Sequence, residues 1–130
     1  MGEELVGEKL ESYRDLKVWQ RAMMLAEACY VHTQRYPREE MFGLTSQIRR
    51  AAASIAANIA EGYGREQTRT FVQFLRMSQG SLKELETHLL LAQRVQIARP
   101  ADTDNLLADA QELGKMLRSL IRTLQQRGSS

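Results

Sequence analysis

Glu84 and His88 stand four residues apart in Glu84-Leu85-Glu86-Thr87-His88, a spacing that brings a carboxylate and an imidazole to one face of a helix. A di-iron site in a helical bundle needs more: a Glu from each of two helices and Glu-x-x-His from each of two others. The sequence has two histidines, and neither follows a glutamate at three residues, so no metal is expected. The one cysteine, Cys29, excludes an intramolecular disulfide and a cysteine-cluster zinc site, and its place beside an apolar run reads as a small core residue. No Gly-x-Ser-x-Gly elbow, phosphate-binding glycine loop or Gly-x-Gly-x-x-Gly fingerprint occurs. No catalytic residue and no cofactor are therefore assigned, and the chain reads as a non-enzyme.

Two polar groupings remain. Gln47, Ser54, Asn58 and Glu61 climb one edge of a helix, and Ser78, Ser81 and Glu84 lie on the next helix, where a polar layer could fix register or form a functional surface. The second grouping is basic. Arg49 and Arg50 are adjacent, and Arg65, Arg69 and Arg76 follow at spacings of four and seven. Such a row suits a phosphate backbone, and Tyr36 and Tyr63, read as loop residues, could stack on unpaired bases. Glu39, Glu40, Glu61 and Glu66 are local carboxylates that could instead neutralise the row. Arginine outnumbers lysine fourteen to four, and its planar fork favours phosphate and carboxylate. The formal net charge is only +2, but the excess is concentrated: residues 35–100 hold ten basic and six acidic side chains, whereas residues 101–130 balance at four each.

These residues need helices to position them. The 130 residues suit one domain, and two prolines with eight glycines leave little material for turns. No apolar run of about 18 residues is present, and the acidic start MGEELVGEKLES has no apolar core, so neither a membrane span nor a signal peptide is predicted. Residues 1–14 read as a flexible lead-in, residues 15–127 as the bundle and residues 128–130 as a disordered tail. Helix one starts at an Asp15 cap, carries Leu16, Trp19, Met23, Ala26, Tyr30 and Thr33 on one face, and stops before Pro37. Helix two spans about Leu44 to Glu61, with Leu44, Ile48, Ala51, Ile55 and Ile59 as its stripe, an alanine face beside it, and Gly62-Tyr63-Gly64 as its stop. Helix three runs from near Thr68 through Gly80 toward Pro100, and helix four from an Asp102 or Thr103 cap along Leu106, Ala110, Leu113, Leu117, Leu120 and Leu124. The fold class is all-α, an up-down-up-down antiparallel four-helix bundle, and the spare apolar and alanine faces suggest a homo-oligomer.

Four ordered blocks carry a resemblance: Asp15-Leu16-Lys17-Val18-Trp19-Gln20, Phe42-Gly43-Leu44-Thr45-Ser46-Gln47-Ile48-Arg49-Arg50-Ala51, Ser54-Ile55-Ala56-Ala57-Asn58-Ile59-Ala60-Glu61-Gly62 and Gly80-Ser81-Leu82-Lys83-Glu84-Leu85-Glu86-Thr87. They resemble the bacterial four-helix-bundle proteins related to those encoded in intervening sequences of 23S ribosomal RNA genes. The usual proline of the third block is Ala56 here. The resemblance implies a homopentamer, and a similarity to the accessory variability determinants of diversity-generating retroelements, which are basic pentamers that bind nucleic acid and a reverse transcriptase. Combined with the arginine row, it gives the functional expectation. That expectation is a cytoplasmic oligomeric bundle that binds structured RNA, ribosomal RNA among the candidates, or a nucleic-acid-processing complex. Arg49, Arg50, Arg65, Arg69 and Arg76 are the assigned phosphate contacts; Gln47, Ser54, Asn58, Glu61, Ser81 and Glu84 form the assigned polar network. The alternative is a protein-interaction scaffold with no nucleic-acid role.

Overall fold

The computed structural model describes residues 10–128. Four helices follow one another: α1 (Lys17–Thr33), α2 (Leu44–Gly64), α3 (Thr68–Arg94) and α4 (Pro100–Gly128), with short 3-10 turns at Tyr13–Asp15 and Arg38–Glu40. No strand occurs among the described residues. Each helix packs on its chain neighbours, and α1 closes the ring against α4, giving an all-α four-helix bundle. Short connections force successive helices to run antiparallel.

The core follows the three-four periodicity. Ile48, Ile55 and Ile59 of α2, Phe71, Leu75, Leu82, Leu85 and Leu89 of α3, and Leu113, Leu117 and Leu124 of α4 are almost wholly buried. Burying each such side chain contributes roughly 1.5–3 kcal/mol. Helix α4 starts at Pro100, whose fixed φ and missing N–H suit the first turn. Neither Asp102 nor Thr103 caps it: Thr103 is buried inside the helix, where its hydroxyl accepts a hydrogen bond from the Gln93 amide. Two residues beyond the ends of α2 and α3 the backbone turns left-handed, at Glu66 with φ 62° and Gln96 with φ 63°.

Three sequence expectations change. First, residues 1–9 of the lead-in lie outside the described residues, but Leu10 to Arg14 are packed chain. Leu10 is buried, Ser12 and Asp15 form a capping box around the 3-10 turn, and Tyr13 meets Trp19 edge-on at 5.2 Å. Asp15 thus caps that turn, and α1 begins two residues later. At the other terminus Gly128 still belongs to α4, its Cα side facing Thr68; Ser129 and Ser130 lie outside the described residues.

Second, of the predicted α1 face Leu16, Ala26 and Thr33 are buried, but Val18, Ala22, Leu25, Cys29 and His32 complete the inner side in place of the larger residues. Trp19 is half-buried, and Met23 and Tyr30 are 37% and 45% exposed. Helix one carries two apolar faces, and the bulkier one looks sideways rather than inward.

Third, α2 runs on to Gly64, through the glycine read as its stop. A Cβ on Gly62 would lie 2.5 Å from the Phe74 Cβ and 3.1 Å from a Phe71 ring carbon. Gly62 therefore serves a close approach of α2 to α3. Gly80 is the opposite case. Helix α3 passes through it unbroken, yet a Cβ there would meet nothing within 4 Å.

Candidate nucleic-acid interface

The five assigned arginines fall into two groups. Arg49, near the start of α2, reaches back to α1: its Nε donates to the Thr33 hydroxyl at 2.8 Å and an Nη to the Tyr30 carbonyl at 3.3 Å, and its guanidinium lies 4.7 Å from the centre of the Tyr30 ring. Arg50 turns the other way, donating at 2.8 Å to Glu84 of α3 and at 2.9 Å to Gln47. Arg65, just past α2, pairs with Glu61 at 3.3 Å and rests over the Phe74 ring at 5.4 Å. Arg69 and Arg76 are exposed, and neither makes an ion pair or hydrogen bond among the described residues. Three of the five are thus committed to the protein itself, and two are available.

The polar residues between α2 and α3 resolve into small clusters. Ser54 and Ser81 share a hydrogen bond of 2.9 Å across the interface. Asn58 donates to the Ser54 carbonyl and hydroxyl, at 2.9 and 3.1 Å, within its own helix. Ser78, fully buried, donates at 2.9 Å to the Ile55 carbonyl. Gln47, Arg50 and Glu84 form the second bridge. Glu61 turns to Arg65 rather than across to α3. A buried hydroxyl is stable only with such a partner, so these contacts fix how α3 lies on α2.

Glu84 and His88 do share a face, but His88 Nε2 lies 3.9 Å from a carboxylate already engaged by Arg50. No group of three or more metal-ligating side chains occurs among the described residues. Tyr63 lies in α2, edge-on to Phe71 at 5.8 Å, and Tyr36 is buried with its hydroxyl 2.7 Å from His32 Nε2, so neither is a loop aromatic open to a base. Around that bond, burial lowers the His32 pKa, Asp102 opposing and Arg35 reinforcing, and pushes the Tyr36 phenol and the Cys29 thiol up to about 12 each. An uncharged imidazole beside a protonated phenol and thiol is a packing cluster. A thiol held this far from ionisation is a poor nucleophile.

Beside Arg49 lies an apolar trough of about 600 Å³. Trp19, Met23 and Tyr30 of α1 form one wall and Ala53, Ala57 and Ala60 of α2 the other. It is the outer side of the α1–α2 seam, built where the second apolar face of α1 meets the alanine face of α2.

The family model described as 23S rRNA-intervening sequence protein matches residues 14–119. The chain belongs to this family. The match spans all of α1, α2 and α3 and most of α4, so it takes in the seams described above. A crystal structure of a protein with unknown function from the S23 ribosomal protein family of Bacteroides thetaiotaomicron VPI-5482 is similar, with a TM-score of 0.72 and 24% identity over 80% of this chain and 97% of that one. At that identity the likeness concerns the fold. No curated protein matches the chain. No helix among the described residues is long and apolar enough to cross a membrane.

Sequence reasoning missed several residues. Lys115, Arg118 and Arg122 of α4 are exposed cations, and their signal was the lack of any carboxylate after Glu112. The His32–Tyr36 pair was also missed; its signal was the i, i+4 spacing.

Proposed function

We propose that this family member is a non-enzymatic helical bundle that assembles with copies of itself and binds structured RNA, or an RNA-containing complex, through its arginine-bearing surface. The observation that carries the reading is the pair Arg69 and Arg76: exposed, one heptad apart on α3, and without a carboxylate partner among the described residues. A guanidinium left unpaired on a rigid helix is ready to bind a phosphate. Membership of a family named for ribosomal RNA supports the choice of RNA. Arg49, Arg50 and Arg65 contribute local positive potential while holding their protein partners. Self-association is supported by the trough, an exposed apolar groove walled on one side by Trp19, Met23 and Tyr30 and on the other by small alanines that permit close helix approach. A pentamer, a cytoplasmic setting, and a reverse transcriptase or other nucleic-acid enzyme as partner are narrower readings that rest on the resemblance.

Filter binding of the full chain to 23S ribosomal RNA fragments at two salt concentrations tests the proposal. Affinity that falls steeply with salt is expected, and absent or salt-indifferent binding overturns it. The same trough, with Phe42 91% exposed at the α1–α2 connection, favours one second reading, a protein-interaction scaffold. That reading predicts no RNA affinity.

A further inference from the structure

Helices α3 and α4 meet along a seam whose register can be read from three places. Thr68 lies against Gly128, Leu82 against Gly114, and Gln93 bonds to Thr103. All three pairs keep one antiparallel offset, so Arg76 is level with Leu120, and Arg118 and Arg122 sit half a turn to either side of it.

The facing follows from the same contacts. Gly114 and Gln125 both lie on the edge of α4 that meets α3. Arg118 falls between them, four residues after the one and seven before the other, hence on that edge, and Arg122 is the next residue outward. On α3, Arg69 lines the seam beside Val72. Arg76 and Lys83 repeat it at heptad spacing, a row about 21 Å long.

Charge segregates here. Between Gln67 and Lys83, and from Leu113 to Gly128, there is no aspartate or glutamate. Arg69, Arg76, Lys115, Arg118 and Arg122 are exposed and without an ion pair among the described residues, whereas Lys83 is held by Glu86 at 3.0 Å. The helix dipole does not explain the placement. It favours cations only in a last turn, whereas Lys115 and Arg118 stand well before the end of α4, and Arg69 lies in the first turn of α3, where a positive charge is disfavoured.

We infer that the groove between the first half of α3 and the second half of α4 is the surface that grips a nucleic-acid phosphate backbone, with Arg69 and Arg76 on one wall and Arg118 and Arg122 on the other. The inference rests on the RNA-binding reading above and adds the site and two residues from α4. An acidic peptide is the less suited occupant. Docking a helix takes large apolar anchors, whereas the groove end is edged by Thr68, Gln73 and Gln125, and Val72 and Leu124 are buried below.

The test uses the full-length chain and a fluorescein-labelled 20-base-pair RNA duplex, read by fluorescence anisotropy at several salt concentrations. The triple variant Arg76→Gln, Arg118→Gln, Arg122→Gln should bind about tenfold or more weakly, with the salt slope reduced by about two to three. The variant Arg35→Gln, Arg38→Gln, Arg94→Gln removes equal charge from the opposite end and should keep the wild-type slope. Lysine at the three groove positions should keep binding, and it decides the matter if the glutamine variant melts early.

Equal losses in both glutamine variants would overturn the groove while leaving RNA binding standing. A wild-type chain that does not bind the duplex would overturn both. Poly-L-glutamate competing as strongly as unlabelled duplex would overturn nucleic acid as the ligand.

Discussion

Helix α3 has two flanks, and they treat charge in opposite ways. Toward α2 it is interlocked: Gly62 admits Phe74, Ser78 and Ser81 bond across, and Arg50 ends on Glu84. Toward α4 its first half carries Arg69 and Arg76, which make no ion pair among the described residues. The same residue type is a cross-brace on one flank and an open contact on the other. What separates them is a carboxylate or carbonyl within reach, and that is a property of the neighbouring helix rather than of the arginine. Exposed ion pairs add only about 0–1 kcal/mol, so the tight flank owes its stability mainly to shape and buried hydrogen bonds.

Changes on the tight flank should therefore be the costlier ones. Gly62→Ala drives a methyl into Phe74, and a loss of about 3 kcal/mol is expected in urea unfolding. A neutral outcome would mean the two helices can separate without penalty. Ser78→Ala removes the donor to the Ile55 carbonyl and should cost about 1 kcal/mol by the same measurement. Gly80→Ala, on the same helix but facing open space, should stabilise by about 1 kcal/mol, raising the thermal midpoint. Arg50→Ala should cost under about 1 kcal/mol, since both partners are partly solvated. Arg76→Ala should move stability by no more than about 0.5 kcal/mol while weakening RNA binding, which is the sharpest separation of the two flanks.

Acid titration affects neither flank first. His32 has a folded pKa below its unfolded value, so the unfolded chain binds the proton more readily. Stability should decline as pH falls through about 6.5 and level off below the lowered folded value. His32→Gln should flatten that part of the pH profile in chemical denaturation.

Much of the fold was legible because α2, α3 and α4 each repeat apolar residues at three and four. Helix one misled because two apolar rows run along it, and size favoured Trp19, Met23 and Tyr30 over the smaller Val18 and Ala22 that enter the core. Gly62 reads as a helix stop in one dimension; its missing side chain matters only where Phe74 arrives from another helix. The arginines were visible as a row, but Arg50 and Glu84 are 34 residues apart, and no local window shows that pairing. The cations of α4 escaped because residues 101–130 sum to zero, which conceals that the acids come first and the bases last.

Trp19 is the sole tryptophan of the chain, and it borders the alanine-lined trough. Its emission is thus a built-in optical gauge of that surface. Whatever settles there, another copy or a different protein, should exclude water from the indole and shift its fluorescence to shorter wavelength, and dilution should reverse the shift.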